Sequence, residues 1–257
     1  MISFIIINYN SFNFLPVLLS SIEKKIKDID YEIIVVNNDK KKIFLENDRE
    51  KYKKVKILEI NKNIGFGAGC NKGAKVAQGE ILVFLNPDTE IISNKIKNVL
   101  NFFQKNDQVG ALGCQLINSE NNIQAWSAGV ETNLLDIFKN NLGFPSSKKI
   151  WESKKALEVD WVSGAVLFIR KNIFFQINGF DEKFFLYFED LDLCKRVRKL
   201  KYKIIYYPFF QVRHWGGSSF SSKTKQKKEF YKSQDYYFQK HLKRQLFWLR
   251  ILRKIFQ

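Results

Sequence analysis

The stretch Glu80-Ile-Leu-Val-Phe-Leu-Asn-Pro-Asp88 sets five consecutive apolar residues directly before an amide, a proline and an acid. Five is too short for a helix and suits a strand buried on both faces, while Asn86-Pro87-Asp88 reads as a type I turn with proline at its second position. The same grammar recurs upstream. Ile2 to Ile7 is an apolar run that stops at Asn8-Tyr9-Asn10-Ser11, and Glu32 to Val36 stops at Asn37-Asn38-Asp39. Val55 to Ile60 predicts a further strand. Helical spacing separates them: Leu15, Leu18, Leu19 and Ile22 share a face between Phe14 and Ile26. The glycine-rich Asn63-Ile-Gly-Phe-Gly-Ala-Gly69 opens a second helix through Gln78, with Gly79 as its expected stop. Apolar strands alternating with helices predict an α/β fold, a Rossmann-like and mostly parallel central sheet with helices on both faces. Ligands of such sheets bind beyond the carboxyl ends of the strands, and three polar clusters fall there: Tyr9/Asn10, Asn37 to Asp39, and Asn86 to Asp88.

The second half is less regular. Trp161 to Ile169 predicts one strand, Leu191 to Leu200 a helix and Lys203 to Tyr207 another strand, with the aromatic run Phe184 to Phe188 leading into Glu189-Asp190-Leu-Asp192. There is no internal repeat and no low-complexity linker, so residues 1–220 are expected to form one domain, followed by a tail over 221–257.

Composition narrows the class. The chain has 257 residues, with 43 Lys and Arg against 26 Asp and Glu, a net charge of +17, and 24 Phe. Disorder is excluded by that aromatic and apolar content. Cys70, Cys114 and Cys194 are too few and too far apart for a disulfide framework or a zinc site, which points to a reducing compartment. The first apolar run lacks a basic segment before it and reads as a strand rather than a signal peptide, and no run approaches the roughly 18 apolar residues of a membrane span. A cytoplasmic location is expected.

The charge is uneven: from Lys223 to Gln257 there are eleven basic and two acidic residues. Phe238, Leu242, Leu246, Leu249 and Phe256 fit one helical stripe, Lys240, Lys243, Arg244, Arg250 and Lys254 cover other faces, and Phe247 and Trp248 suit a headgroup boundary. The tail therefore reads as an amphipathic helix lying on an anionic membrane, at the inner face of the cytoplasmic membrane. A helix that packs on the preceding domain or on a partner subunit has the same pattern.

Several further pieces occur in a telling order: Ile6-Ile-Asn-Tyr-Asn10, Ile34-Val-Val-Asn-Asn38, Asn61-Lys-Asn-Ile-Gly-Phe-Gly67 with Asn71-Lys-Gly73, and Leu85-Asn-Pro-Asp-Thr89. Then come Val162-Ser-Gly-Ala165, Gly179-Phe-Asp-Glu-Lys-Phe-Phe185, Tyr187-Phe-Glu-Asp-Leu-Asp-Leu193 and His214-Trp-Gly-Gly217. Together they resemble the family 2 glycosyltransferases of the GT-A fold, closest to the rhamnosyltransferase-like branch, over Ile2 to Ser218.

The resemblance implies an inverting transfer of a sugar from a nucleoside diphosphate, dTDP-rhamnose or a UDP-sugar, to a hydroxyl of a glycan or lipid-linked glycan in cell-surface polysaccharide synthesis. Asp88 would hold a divalent cation against the departing diphosphate. Relatives usually carry Asp-x-Asp here, whereas this chain has Asn86, so the site is lean in carboxylate. His214 would complete the metal site, and a neutral imidazole suits manganese better than magnesium. Asp190 would take the proton of the acceptor hydroxyl, with Glu189 beside it. Acids at a helix start also favour its dipole, and Lys195, Arg196, Arg198 and Lys199 follow toward the other end.

For the donor, Tyr9 and Asn10 would line the base pocket. Relatives end the second strand in Asp-Asn; here either Asn37 or Asp39 takes that place. Asn63, Gly65 and Gly67 offer backbone to an anion at a helix start, or serve only as turn residues. Trp161, Ser163 and Gly164 would face the acceptor.

Two other classes fit the composition: a basic RNA-binding protein and a non-catalytic nucleotide-sugar-binding relative. The concentration of charge in one tail and the lack of an RNA-recognition signature argue against nucleic acid. Intact Asp88, Asp190 and His214 argue for turnover.

Overall fold

The computed structural model describes residues 1–41, 43, 55–216 and 222–256. β1 (Ile2–Asn8), α1 (Leu15–Lys25), β2 (Tyr31–Asn37), β3 (Val55–Glu59), α2 (Phe66–Val76) and β4 (Ile81–Leu85) come first. β5 (Thr89–Ile91), α3 (Ile96–Lys105) and β6 (Val109–Ile117) follow. Shorter elements come next: β7 (Ala128–Gly129), α4 (Leu134–Asn141), α5 (Lys148–Trp151), β8 (Leu157–Val159) and β9 (Trp161–Val162). The chain continues through β10 (Val166–Arg170), α6 (Lys171–Gln176), α7 (Glu189–Lys199) and β11 (Lys203–His214) to α8 (Lys223–His241) and α9 (Leu246–Ile255).

The central sheet has nine strands in the order β3-β2-β1-β4-β10-β6-β11-β5, with β8 also paired to β11. β3, β2, β1 and β4 are parallel neighbours, as are β6 and β11. β10 runs against both β4 and β6 and so restores the common direction beyond itself. The mostly parallel sheet is thus present, with helices on both faces. Along β1 the pleat sends Ile2, Phe4 and Ile6 to a core with α1 and α3, and Ile5 and Ile7 to a second core with α2, α6 and α7. This is why the strand reads as an unbroken apolar run.

Three expectations are corrected. Trp161 to Ile169 is not one strand: β9 stops at Val162, a turn at Ser163 and Gly164 intervenes, and β10 begins at Val166. β11 does not stop at Tyr207 but runs to His214, because a register shift between Tyr207 and Gln211 absorbs Pro208, which has no N–H to give the ladder. Gly79 is not the helix stop. α2 ends at Val76, and Gly79 is glycine because a Cβ there would lie 2.6 Å from the backbone of Ile2 and Ser3.

The tail is two helices, and they rest on the body. Tyr237, Phe238 and Leu249 are buried with Phe184 and Phe188, and Leu242, Leu246 and α4 residues Leu134 and Ile137 pack around them. The stripe of Phe238, Leu242, Leu246 and Leu249 therefore faces the protein, so it is not the lipid-facing surface. The expected boundary at 220/221, and Gly217 of the His214 motif, lie outside the described residues. Among the described residues no helix is long and apolar enough to cross a membrane.

Candidate active site

The turn after β4 is built from its own residues: Thr89 Oγ1 donates to the Asn86 carbonyl (2.7 Å), and Asn86 N–H donates to the Ala165 carbonyl (3.0 Å). Antiparallel pairing of β5 with β11 sets Thr89 opposite His214 and so brings a distant residue to Asp88. His214 Nε2 lies 3.5 Å from Asp88 Oδ1 and 3.4 Å from Asn86 Nδ2. On its other side His214 Nδ1 meets Gln124 Oε1 at 3.1 Å. With the proton on Nδ1, donated to that amide oxygen, Nε2 would face Asp88 as an acceptor, the tautomer that orients an imidazole for a cation. The donor set fits a divalent ion held by one carboxylate and one imidazole. It is sparse: among the described residues no three His, Cys, Asp or Glu side chains gather as a metal cluster.

Asp190 opens α7. Its Oδ2 accepts from Gly164 N–H (2.8 Å), delivered by the turn between β9 and β10, and its Oδ1 accepts from Leu191 N–H (2.8 Å). Burial raises its pKa, opposed by these backbone donors. Glu189 is more buried still, and its Oε2 has no hydrogen-bond partner among the described residues. Burial first, and then the Asp190 charge, push the Glu189 pKa well above the usual carboxylate range. Both adjacent acids are thus pushed up by burial, and Asp190 has two N–H donors that favour its charged form.

The residues before them are strained. Tyr187 (φ 71°) and Phe188 (φ 65°) are consecutive left-handed residues with large side chains. α8 holds them: the Phe230 ring meets both at 5.6 and 5.3 Å, Gln226 Nε2 donates to the Tyr187 hydroxyl (2.7 Å), and Ser233 Oγ donates to the Leu186 carbonyl (2.7 Å). Sequence reasoning missed this role of the tail, because nothing in the spacing of Gln226, Phe230 and Ser233 names their partners.

The predicted residues fall into two groups. Asn86, Trp161, Ser163, Gly164, Glu189, Asp190 and His214 line one cavity of about 660 Å³; Asp88 does not line it and meets it through His214, 3.5 Å away. Tyr9, Asn10, Asn37 and Asp39 gather separately at the ends of β1 and β2. There Asn37 is fully buried and spent: its Oδ1 accepts from Asn8 Nδ2 (2.8 Å), and its Nδ2 donates to the Lys41 carbonyl and to Glu59. Asp39 is half-buried and accepts from Asn10 N–H (3.1 Å). Asn63 Oδ1 accepts from Gly65 N–H (3.0 Å).

The glycines have an internal reason. Gly65 has φ 90°, and a Cβ there would lie 2.6 Å from the Phe185 carbonyl oxygen; one at Gly67 would meet Phe180 Cβ at 3.0 Å. They let the chain pack on itself. Trp161 is buried, with its indole N–H donated to the Val130 carbonyl (2.8 Å). Trp126, also in the cavity, is exposed and tilted against Trp151 at 5.1 Å. It lies in an irregular segment with no periodic signal.

Residues 3–164 match glycosyl transferase family 2, and residues 145–217 match the family described as the N-terminal domain of galactosyltransferase. The chain belongs to glycosyl transferase family 2. It is 26% identical over 186 residues to N-acetylglucosaminyl-diphospho-decaprenol L-rhamnosyltransferase of Mycobacterium tuberculosis, covering 64% of this chain and 60% of that one. It is 24% identical to the rhamnosyltransferase WbbL of Escherichia coli, over 87% of this chain and 88% of that one. The chain thus spans about three fifths of the length of the mycobacterial relative. Among solved structures, the mannosyltransferase PcManGT from Pyrobaculum calidifontis, in complex with GDP-Man and Mn2+, superposes with a TM-score of 0.65 at 14% identity, over 94% of this chain and 64% of that one. The GT-A-like fold expected from the sequence is shared with it.

Proposed function

We propose that this chain is an inverting, metal-dependent glycosyltransferase that moves a sugar from a nucleoside diphosphate, dTDP-rhamnose or a UDP-sugar, to a hydroxyl of a glycan or lipid-linked glycan. Residues 1–220 form the transferase unit in this reading, and the tail bears on an anionic membrane from the cytoplasmic side. The observation that carries it is the shared cavity: a carboxylate fixed by two backbone N–H groups on one wall, and an imidazole–carboxylate pair beside it.

Asp88 and His214 would hold manganese or magnesium, which when bound neutralises charge on the diphosphate. Asp190 accepts the acceptor's proton through whichever oxygen the hydroxyl approaches, while Gly164 and Leu191 keep the carboxylate oriented. Glu189, whose carboxyl burial pushes up, stands beside it on the acceptor side. Asp39, half-buried just after β2, reads the base in preference to Asn37, whose amide is engaged within the protein. Trp126 supplies a flat apolar face for a sugar ring on the acceptor side.

The test is transfer with purified donor and acceptor in manganese. Asp190→Asn is expected to lower kcat by about 10²–10⁴-fold with donor binding kept. Full turnover in that variant would remove Asp190 from the mechanism. Binding of generic RNA with steep salt dependence, and no response to nucleotide sugars, would favour the nucleic-acid alternative.

A further inference from the structure

The cavity that holds Asp190 extends past the catalytic groups. Ile137 of α4, and Leu249, Arg253 and Phe256 of the C-terminal segment, line it as well. Phe256 also faces outward: it is 40% exposed, and its ring meets that of exposed Phe138 at 6.0 Å. Beside Phe138 on and just after α4 stand Leu135 and Phe144, 73% and 74% exposed, and along α9 Phe247, Trp248 and Ile255 are exposed too. So many uncovered apolar groups on adjoining elements mark a contact surface. Lys139, Lys243, Arg244, Arg250 and Lys254 are exposed around it. An apolar face rimmed by cations complements an anionic lipid surface.

Arg253 is set apart from those surface cations. Its guanidinium stacks on Tyr231 at 4.2 Å and donates through one nitrogen to Gln234 and Asp235, both at 2.7 Å. Its buried Nε has no partner among the described residues. Asp235 also pairs with Arg250, so two guanidiniums share one carboxylate and positive charge is left over. A rigidly held cation on the cavity wall, three residues from Phe256, suits the anionic group that joins a lipid chain to a sugar.

We infer that α4 and the C-terminal segment form the mouth of the acceptor site. The apolar face rests on an anionic lipid surface, Arg253 takes the anionic group of a lipid-borne acceptor, and the sugar hydroxyl reaches Asp190 along the cavity. This rests on the transferase reading and makes the tail a wall of the site as well as an anchor.

The full chain is titrated with farnesyl diphosphate, inorganic diphosphate, and UDP or dTDP in manganese. Farnesyl diphosphate is expected to bind at least about tenfold more tightly than inorganic diphosphate, and not to be displaced by the nucleotide. Arg253→Gln, and separately the exposed-site pair Leu135→Glu with Phe256→Glu, are expected to weaken it about tenfold while leaving nucleotide affinity unchanged. The paired variant is also expected to stop co-sedimenting with phosphatidylcholine–phosphatidylglycerol vesicles. Displacement by nucleotide, indifference to both variants, or vesicle binding kept by the paired variant would overturn the inference. Failure of every nucleotide to bind would instead sink the transferase reading, and leaves the lipid measurements to be read on their own.

Discussion

His241 Nε2 lies 2.7 Å from Asp192 Oδ1, which ties the end of α8 to the first turn of the helix that begins at Glu189 and Asp190. Asp192 has no exposed side-chain surface and also meets Lys240 (2.6 Å) and Arg196 (2.7 Å). Burial opposes its charge, but the His241 hydrogen bond and the two cations outweigh it and bring the pKa down to about 2. A depressed carboxylate contributes stability that is complete above its unfolded pKa and lost as pH falls through the folded one. Asp192→Ala is expected to cost about 1–3 kcal/mol in urea unfolding at neutral pH, since it removes the buried carboxylate that Arg196, Lys240 and His241 share. The deficit should shrink as pH falls from about 4 toward 2, and a deficit constant over that range would refute this account.

Glu189 titrates the other way. The folded state holds a proton that the unfolded state releases, so wild-type stability declines as pH rises above the ordinary glutamate range. Glu189→Gln keeps the shape and removes that slope. Its melting temperature should exceed that of the wild type by a margin that grows from pH 5 to pH 8; parallel curves would count against a protonated Glu189.

Phe230 supports both left-handed residues, so Phe230→Ala should loosen Asp190 more than it unfolds the protein. A loss of about 1–3 kcal/mol is expected for a half-exposed phenylalanine, with a fall in kcat and little change in donor KM. Equal wild-type kcat would show that the strained pair holds itself.

Cys70, Cys114 and Cys194 are free and buried, and burial raises all three thiols, Cys194 to about 12. Native protein should therefore react with no equivalents of a thiol reagent at pH 8 and with three after denaturation. Rapid native labelling would contradict the core packing.

The strands of the first half were legible because burial on both faces makes each an apolar run closed by polar residues. The expectation that Asp88, Asp190 and His214 share one site came from the resemblance, since no local pattern pairs Thr89 with His214 across the sheet edge. The break at Ser163 and Gly164 was hidden because Trp161 to Ile169 is apolar on both sides of it. Gly65 and Gly67 advertise close approach but not its object, which turned out to be Phe185 and Phe180. In the tail, apolar spacing revealed amphipathic helices, yet two apolar faces exist there, and only packing shows that Leu249 points inward and Trp248 outward.

The twisted backbone at Tyr187 and Phe188 also imposes a schedule on synthesis. Its props, Phe230 and Tyr237, are translated well after the last strand of the sheet. In a chain emerging from the ribosome, the strands of the sheet therefore come out before the residues that brace the backbone ahead of Asp190.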